Sequence, residues 1–165
     1  MLQKPFSAVL EAGVTALIGK DQQVDQNDYG ASVAITLGIA SRTDEPVSGE
    51  ILSFAFYSTE EGSGSVQTPA GYLLLFDANP AISAGDTAIT AAEHRTILGI
   101  VEVEADDWVL SDANGATAYI HDCPVAFHDL STLYAAWFHN DATSHNDAAG
   151  DDERLDFNCW FRRDS

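Results

Sequence analysis

Tyr72-Leu73-Leu74-Leu75-Phe76-Asp77-Ala78-Asn79-Pro80 reads as a strand buried on both faces and ended by a turn. Its apolar run is continuous rather than alternating, is rich in aromatic and branched side chains, and is bounded by Gly71 and Pro80. That combination fits a core strand of a sandwich better than a helix. Asp77 and Asn79 can hydrogen-bond their own backbone, and Pro80 has no N–H to give to a ladder, so pairing stops there. Directly downstream, Thr90-Ala91-Ala92-Glu93 has the form of a capping box and predicts one short helix of one or two turns near 87–95, with Asp86 or Thr87 as possible earlier starts. A second strand, 96–103, follows it.

The same signals recur along the chain. Strands are predicted over 31–40, 51–57, 71–76, 96–103, 117–121, 125–127, 132–138 and 155–161. Turn-forming clusters separate them at Thr43-Asp44-Glu45-Pro46, 61–65, Asp112-Ala113-Asn114-Gly115 and 140–152. Asn114-Gly115 is a tight-turn signal because both residues tolerate positive φ. About eight short strands with one helix predict an all-β fold, an antiparallel β-sandwich of jelly-roll-like form. Residues 31–165 are expected to form the single sandwich domain, with 1–30 an N-terminal arm or first strand. Within 6–18 the pattern allows an amphipathic helix or a strand bent at Gly13, and the Val, Thr and Ile content favours strand. Residues 22–29 read as a polar loop, mobile in the free protein.

Composition narrows the function. The chain carries 26 acidic and 7 basic residues, a formal charge of -19. Such a surface repels nucleic acid and anionic membranes, so neither is an expected partner. It suits either a very soluble or salt-adapted protein, or one that docks on a basic partner. No secretory signal is visible at Met1-Leu2-Gln3-Lys4-Pro5-Phe6, and no stretch is long and apolar enough to span a bilayer. A cytosol-like compartment is therefore expected. There Cys123 and Cys159 read as small buried hydrophobes rather than a disulfide.

Motifs for catalysis are not found. There is no nucleophile elbow, phosphate loop, dinucleotide fingerprint or zinc-protease pattern, so no enzyme and no cofactor is expected. His121, His128, His139 and His145 lack the spacing of a metal site and read as turn or strand-end residues. The loop 140–153 offers many oxygens, with Asp141, Asp147 and Asp151 as weak calcium candidates. It lacks the EF-hand order, and a solvated tip between the last two strands is the preferred reading.

The order of elements from Leu74-Leu75-Phe76-Asp77-Ala78-Asn79-Pro80, through the helical segment, to Ile97-Leu98-Gly99-Ile100-Val101 resembles small all-β virion proteins of tailed bacteriophages. Leu133-Tyr134-Ala135-Ala136-Trp137-Phe138 and a last strand at the C-terminus extend the resemblance over 47–165. The resemblance implies a capsid decoration, or cement, protein on the outer surface of the virion, assembled in the host cytoplasm. Its implied partners are the major capsid protein and further copies of itself, as a homotrimer. It also implies docking through an N-terminal arm, which places Lys4, Phe6 and Tyr29 at the interface. Separately, Arg162 and Arg163, the only paired bases, read either as an anchor for an acidic partner surface or as a charged, soluble C-terminus. The competing classes are a calcium- or carbohydrate-binding β-sandwich of a phage tail or surface particle, and a metal-dependent jelly-roll enzyme.

Overall fold

The computed structural model describes residues 9–20, 22–37, 45–62, 65–145 and 153–164. Ten strands occur among them: β1 Val9–Glu11, β2 Thr15–Ile18, β3 Val33–Thr36, β4 Val47–Glu60, β5 Gly71–Phe76, β6 Ile97–Val103, β7 Trp108–Asp112, β8 Gly115–Leu130, β9 Thr132–His139 and β10 Glu153–Arg163. One α-helix, α1 Ala91–His94, and a single 3-10 turn at Ala105–Asp107 complete the described elements. All strand pairs are antiparallel. They form one sheet in the order β1-β10-β4-β8-β7, with β2 also on β10, and a second in the order β3-β9-β5-β6. The all-β sandwich expected from the sequence is the fold of the protein.

The two sheets enclose a main core. Phe54 and Phe56 of β4 lie opposite Cys159 and Phe157 of β10, and all four are buried. From the other sheet Leu73, Leu75, Val101, Leu133 and Trp137 close on them. Trp137 is fully buried, with its ring centroid 5.9 Å from that of Phe56.

The opening run owes its continuity to a second core. Side chains alternate across a strand, so Leu73 and Leu75 enter the inter-sheet core while Leu74 and Phe76 point to the opposite face. There the 77–96 connection covers them: Ile82 is buried with them, and Ile89 packs alongside. Both faces of β5 are therefore dry, and a run without alternation is the result. The connection is fixed by its own polar side chains. Asn79 Oδ1 accepts from the Ala81 N–H at 2.9 Å, and Asp86 Oδ2 from the Ser83 N–H at 2.8 Å. Thr90 caps α1, its hydroxyl accepting from the Glu93 N–H while the Glu93 carboxylate accepts from the Thr90 N–H. The helix is one turn, Ala91–His94, inside the expected stretch, and of the possible starts it is Thr90 that caps it.

Gly71 opens β5 where no side chain fits. A Cβ there would sit 2.5 Å from the Phe138 carbonyl oxygen and 2.5 Å from the Trp137 ring. Gly71→Ala must displace backbone or the largest core side chain, and should cost about 1–3 kcal/mol of stability. A thermal melt that leaves the midpoint unchanged would refute the packing described.

Three expectations need correction. The predicted strands 117–121 and 125–127 are one strand, β8. Ser53 pairs with His121 and Ile51 with Val125, so β8 carries extra residues against β4 and bulges between them. Asp122 takes φ +57 in this bulge, beside Pro124, which lacks a ladder donor. These irregular residues make one strand read as two. Strand β7 was not predicted, although a tight turn at Asn114-Gly115 requires a strand on both sides. Asp112 pairs with Gly115 and the turn itself is Ala113-Asn114, with the Asn114 N–H held by Asp112 Oδ1 at 2.8 Å. Finally, residues 22–29 are not a free loop among the described residues. Val24 is buried and exchanges backbone hydrogen bonds with His145, and Tyr29 bridges to Phe138.

The segment before that loop is strand on both sides of a bend. β1 and β2 pair in turn with β10, and Gly13 between them adopts φ +86, a conformation open to glycine.

Candidate interaction surfaces and a buried polar end

An open cleft of about 320 Å³ lies on the outer face of the β3-β9-β5-β6 sheet, lined by Tyr29, Tyr72, Leu74, His94, Ile97, Ile100 and Phe138. Tyr29, expected on a docking arm, is part of the folded body. It is 7% exposed, with its ring centroid 4.9 Å from that of Phe138. Its N–H donates to the Asp86 carbonyl and its carbonyl accepts from the Gly85 N–H, both at 2.8 Å. Tyr29 thus forms part of the cleft lining and is held by the body of the protein. Tyr72 pairs across the sheet with Glu102, whose charge pushes the phenol above its ordinary value. Lys4 and Phe6 lie outside the described residues.

Arg162 and Arg163 close the last strand. Arg162 is exposed and ion-paired with Glu50, its cross-strand neighbour. An exposed pair of this kind contributes little to stability. The Arg163 guanidinium lies over the Phe161 ring, 5.6 Å from its centroid, in a cation–π contact that packs its stem against the sandwich.

The calcium candidate Asp141 is already engaged. Its Oδ1 accepts from the Thr143 N–H at 2.9 Å and its Oδ2 from the Ala70 N–H at 3.3 Å, so it organises its own turn. Asp147 and Asp151 lie outside the described residues. No group of three or more metal-binding side chains occurs among the described residues. The two thiols are free: Cys159 is buried, which pushes it up to about 12, and Cys123 is half-buried rather than fully enclosed.

The histidines divide into two sets. His121 and His128 are exposed within β8 rather than at its ends, contrary to the turn or strand-end positions expected, and His121 flanks the bulge. His139 and His145 are fully buried at one end of the inter-sheet core, their ring centroids 6.4 Å apart. Glu60 and Glu153 are directly opposite one another across β4 and β10 and are buried at the same end. His145 Nδ1 lies 3.9 Å from Glu153 Oε2. The His139 ring is fixed from both sides: Trp137 Nε1 donates to its Nδ1 at 3.4 Å, leaving Nε2–H to donate to the Thr143 carbonyl at 2.8 Å. Burial first, and then the neighbouring His139, hold the His145 imidazole down to about 4. The nearby carboxylate would act in the opposite sense, but at 3.9 Å it lies beyond hydrogen-bond reach and burial prevails. This cluster was not legible from histidine spacing, because His139 and His145 leave separate segments and Glu60 and Glu153 are remote in sequence. An alternation signal did exist: Glu60 continues the inward parity of Phe54, Phe56 and Ser58.

No family model matches the chain. No curated protein matches it either. Matches among solved structures include the crystal structure of FLHE, at 12% identity and TM-score 0.37, covering 96% of this chain and 98% of that one. They also include the Israel acute paralysis virus pentamer, at 11% identity and TM-score 0.34, covering 96% and 89%. A semi-empty virus-like particle of the nodavirus of the prawn Macrobrachium rosenbergii matches at 14% identity and TM-score 0.31, covering 96% and 94%. Scores at this level support no transfer of function.

Proposed function

We propose that this chain is a structural virion protein of a tailed bacteriophage, a decoration or cement protein seated on the outer capsid surface. The observation that carries the reading is the unit 71–103. The strand, turn, capped helix and returning strand that bear the resemblance fold as one contiguous piece, with β5 paired to β6 and the connection packed on their outer face. Two features support it. A sandwich closed by a double-faced core strand is a stiff building block, and a charge of -19 keeps subunits apart until a more basic site is offered.

On this reading the partners are the major capsid protein and two further copies of the chain, and the virion is its location. Lys4, Phe6 and Arg162 are the proposed contact residues. The test is quantitative mass spectrometry of purified particles of the encoding virus. The chain should appear at a constant ratio to the major capsid protein in head fractions. Its confinement to tail fractions, or its absence from particles, would overturn the assignment. The arm has a separate test: cleavage before Val9 by a protease should be slower on particles than on free protein, and equal rates would remove the arm from the proposal.

A further inference from the structure

Strand β7 is an edge with large apolar side chains exposed on it. It is the last strand of its sheet, and none of the described residues pairs with its outer side. Natural sheets normally guard such an edge with lysine, proline or a bulge that turns it away. Strand β7 has neither lysine nor proline, and its bulge between Leu110 and Asp112 lies at the hairpin end, beyond Val109. Here Val109 is 70% exposed and Leu110 63% exposed, and Tyr119 on the adjacent β8 adds a 56% exposed ring. Val109 pairs with Thr117, so Val109, Thr117 and Tyr119 share the outer face of the sheet. The strand is also held firmly from within. Trp108 is buried and its indole N–H donates to the Pro69 carbonyl at 3.0 Å, while the Asp112–Gly115 hairpin fixes the other end.

The charge around this edge selects its occupant. Glu102, Glu104, Asp106 and Asp107 precede β7 and Asp112 ends it, all of them exposed. Asp106 and Glu102 raise the Glu104 carboxyl above its usual range, the mark of a concentrated negative field. A second copy of the chain is disfavoured here. Two β7 strands paired antiparallel would bring the Asp112 end of each against the Asp106–Asp107 end of the other, with -19 on both chains. An incoming strand with apolar residues in its centre and lysine or arginine at its ends meets both the apolar and the acidic features.

We propose that β7 is a docking edge that accepts an extended segment of a partner protein, apolar in its middle and basic at its ends, as an added strand. The inference does not depend on the virion reading and extends it only by naming the chemistry of the segment that would dock.

The test uses the full chain and three labelled synthetic peptides. One has Lys-Lys flanking alternating valine and threonine; one has Glu-Glu flanks; one has lysine flanks with prolines in the centre. The first should bind, should slow hydrogen exchange at 109–112, and should lose at least tenfold in affinity between 50 and 500 mM salt, as charge screening requires. The exposed double variant Val109→Glu, Leu110→Glu should lose binding with an unchanged melting temperature. No protection of β7 at millimolar peptide would overturn the proposal. So would equal binding of the Glu-flanked or proline-containing peptide, or protection of β7 by concentration-dependent self-association. None of these outcomes bears on whether the chain copurifies with capsids, so the two readings fail separately.

Discussion

Trp137→Ala is expected to destabilise the protein by about 3–5 kcal/mol, the range for truncating a large buried aromatic. The indole fills the space between the sheets against Phe56 and sits over Gly71, so its loss leaves a cavity that a glycine cannot help to fill. It also removes the N–H that Trp137 gives to His139 Nδ1. A buried acceptor without its donor adds to the cost. For a domain whose total stability lies in the usual range of roughly 5–15 kcal/mol, this approaches loss of fold. Urea unfolding followed by circular dichroism should show the midpoint falling by about 2 M, at an m-value of roughly 2 kcal/mol/M. Trp137→Phe should lose clearly less, since the ring volume is largely retained. Equal losses for the two variants would contradict the packing.

The second large effect is on acid stability. In the unfolded chain His145 titrates near 6.5, and in the folded chain near 4. Above 6.5 both states are neutral, and the fold has its full stability. As pH falls below 6.5 the unfolded chain takes up a proton that the folded chain refuses, and stability declines down to about pH 4. With about 1.4 kcal/mol for each unit of difference, the loss through this window is on the order of 3 kcal/mol. The neighbouring groups are His139, Glu60 and Glu153, and relief of the general negative charge acts in the opposite direction on acidification. The His145→Gln variant separates the two. Between pH 6.5 and 4 its stability should fall less steeply than that of the original protein, by up to about 3 kcal/mol over the window. Parallel pH profiles for the two proteins would show that His145 is accessible to protons in the folded state.

Both predictions concern features that differ in how far the sequence announces them. Trp137 lies in a segment whose strand character is plain from Thr132 to Phe138, but nothing in that segment says that its ring meets Phe56 or that Gly71 makes room for it. Residues 139 and 145 are histidines without metal spacing; the expected strand-end position holds for His139, which ends β9, and fails for His121 and His128, which lie inside β8. For His139 and His145, the packing of the β9 sheet on the β10-β4 sheet sets the environment of each ring through partners remote in sequence. The same distance in sequence hid the fate of Tyr29. Its polar neighbours suggest a free arm, yet Phe138, Gly85 and Asp86 converge on it.

The all-β antiparallel fold, the two dry faces of β5, the short helix capped by Thr90 and Glu93, and the strong acidity are all legible residue by residue along the chain. These follow from local rules: side-chain alternation, turn chemistry, reciprocal capping and charge count act over a few residues each. Which strands are edges, that 121 to 125 form a bulge inside one strand, and that Val109 and Leu110 stand exposed on an edge flanked in sequence by Asp106, Asp107 and Asp112, emerge only from the assembled sheets. Edge status is a property of the whole sheet, because a strand is an edge only once every other strand has found its neighbours. For that reason the most distinctive surface of this protein lies on β7, a five-residue strand whose own residues do not announce its place in the sheet.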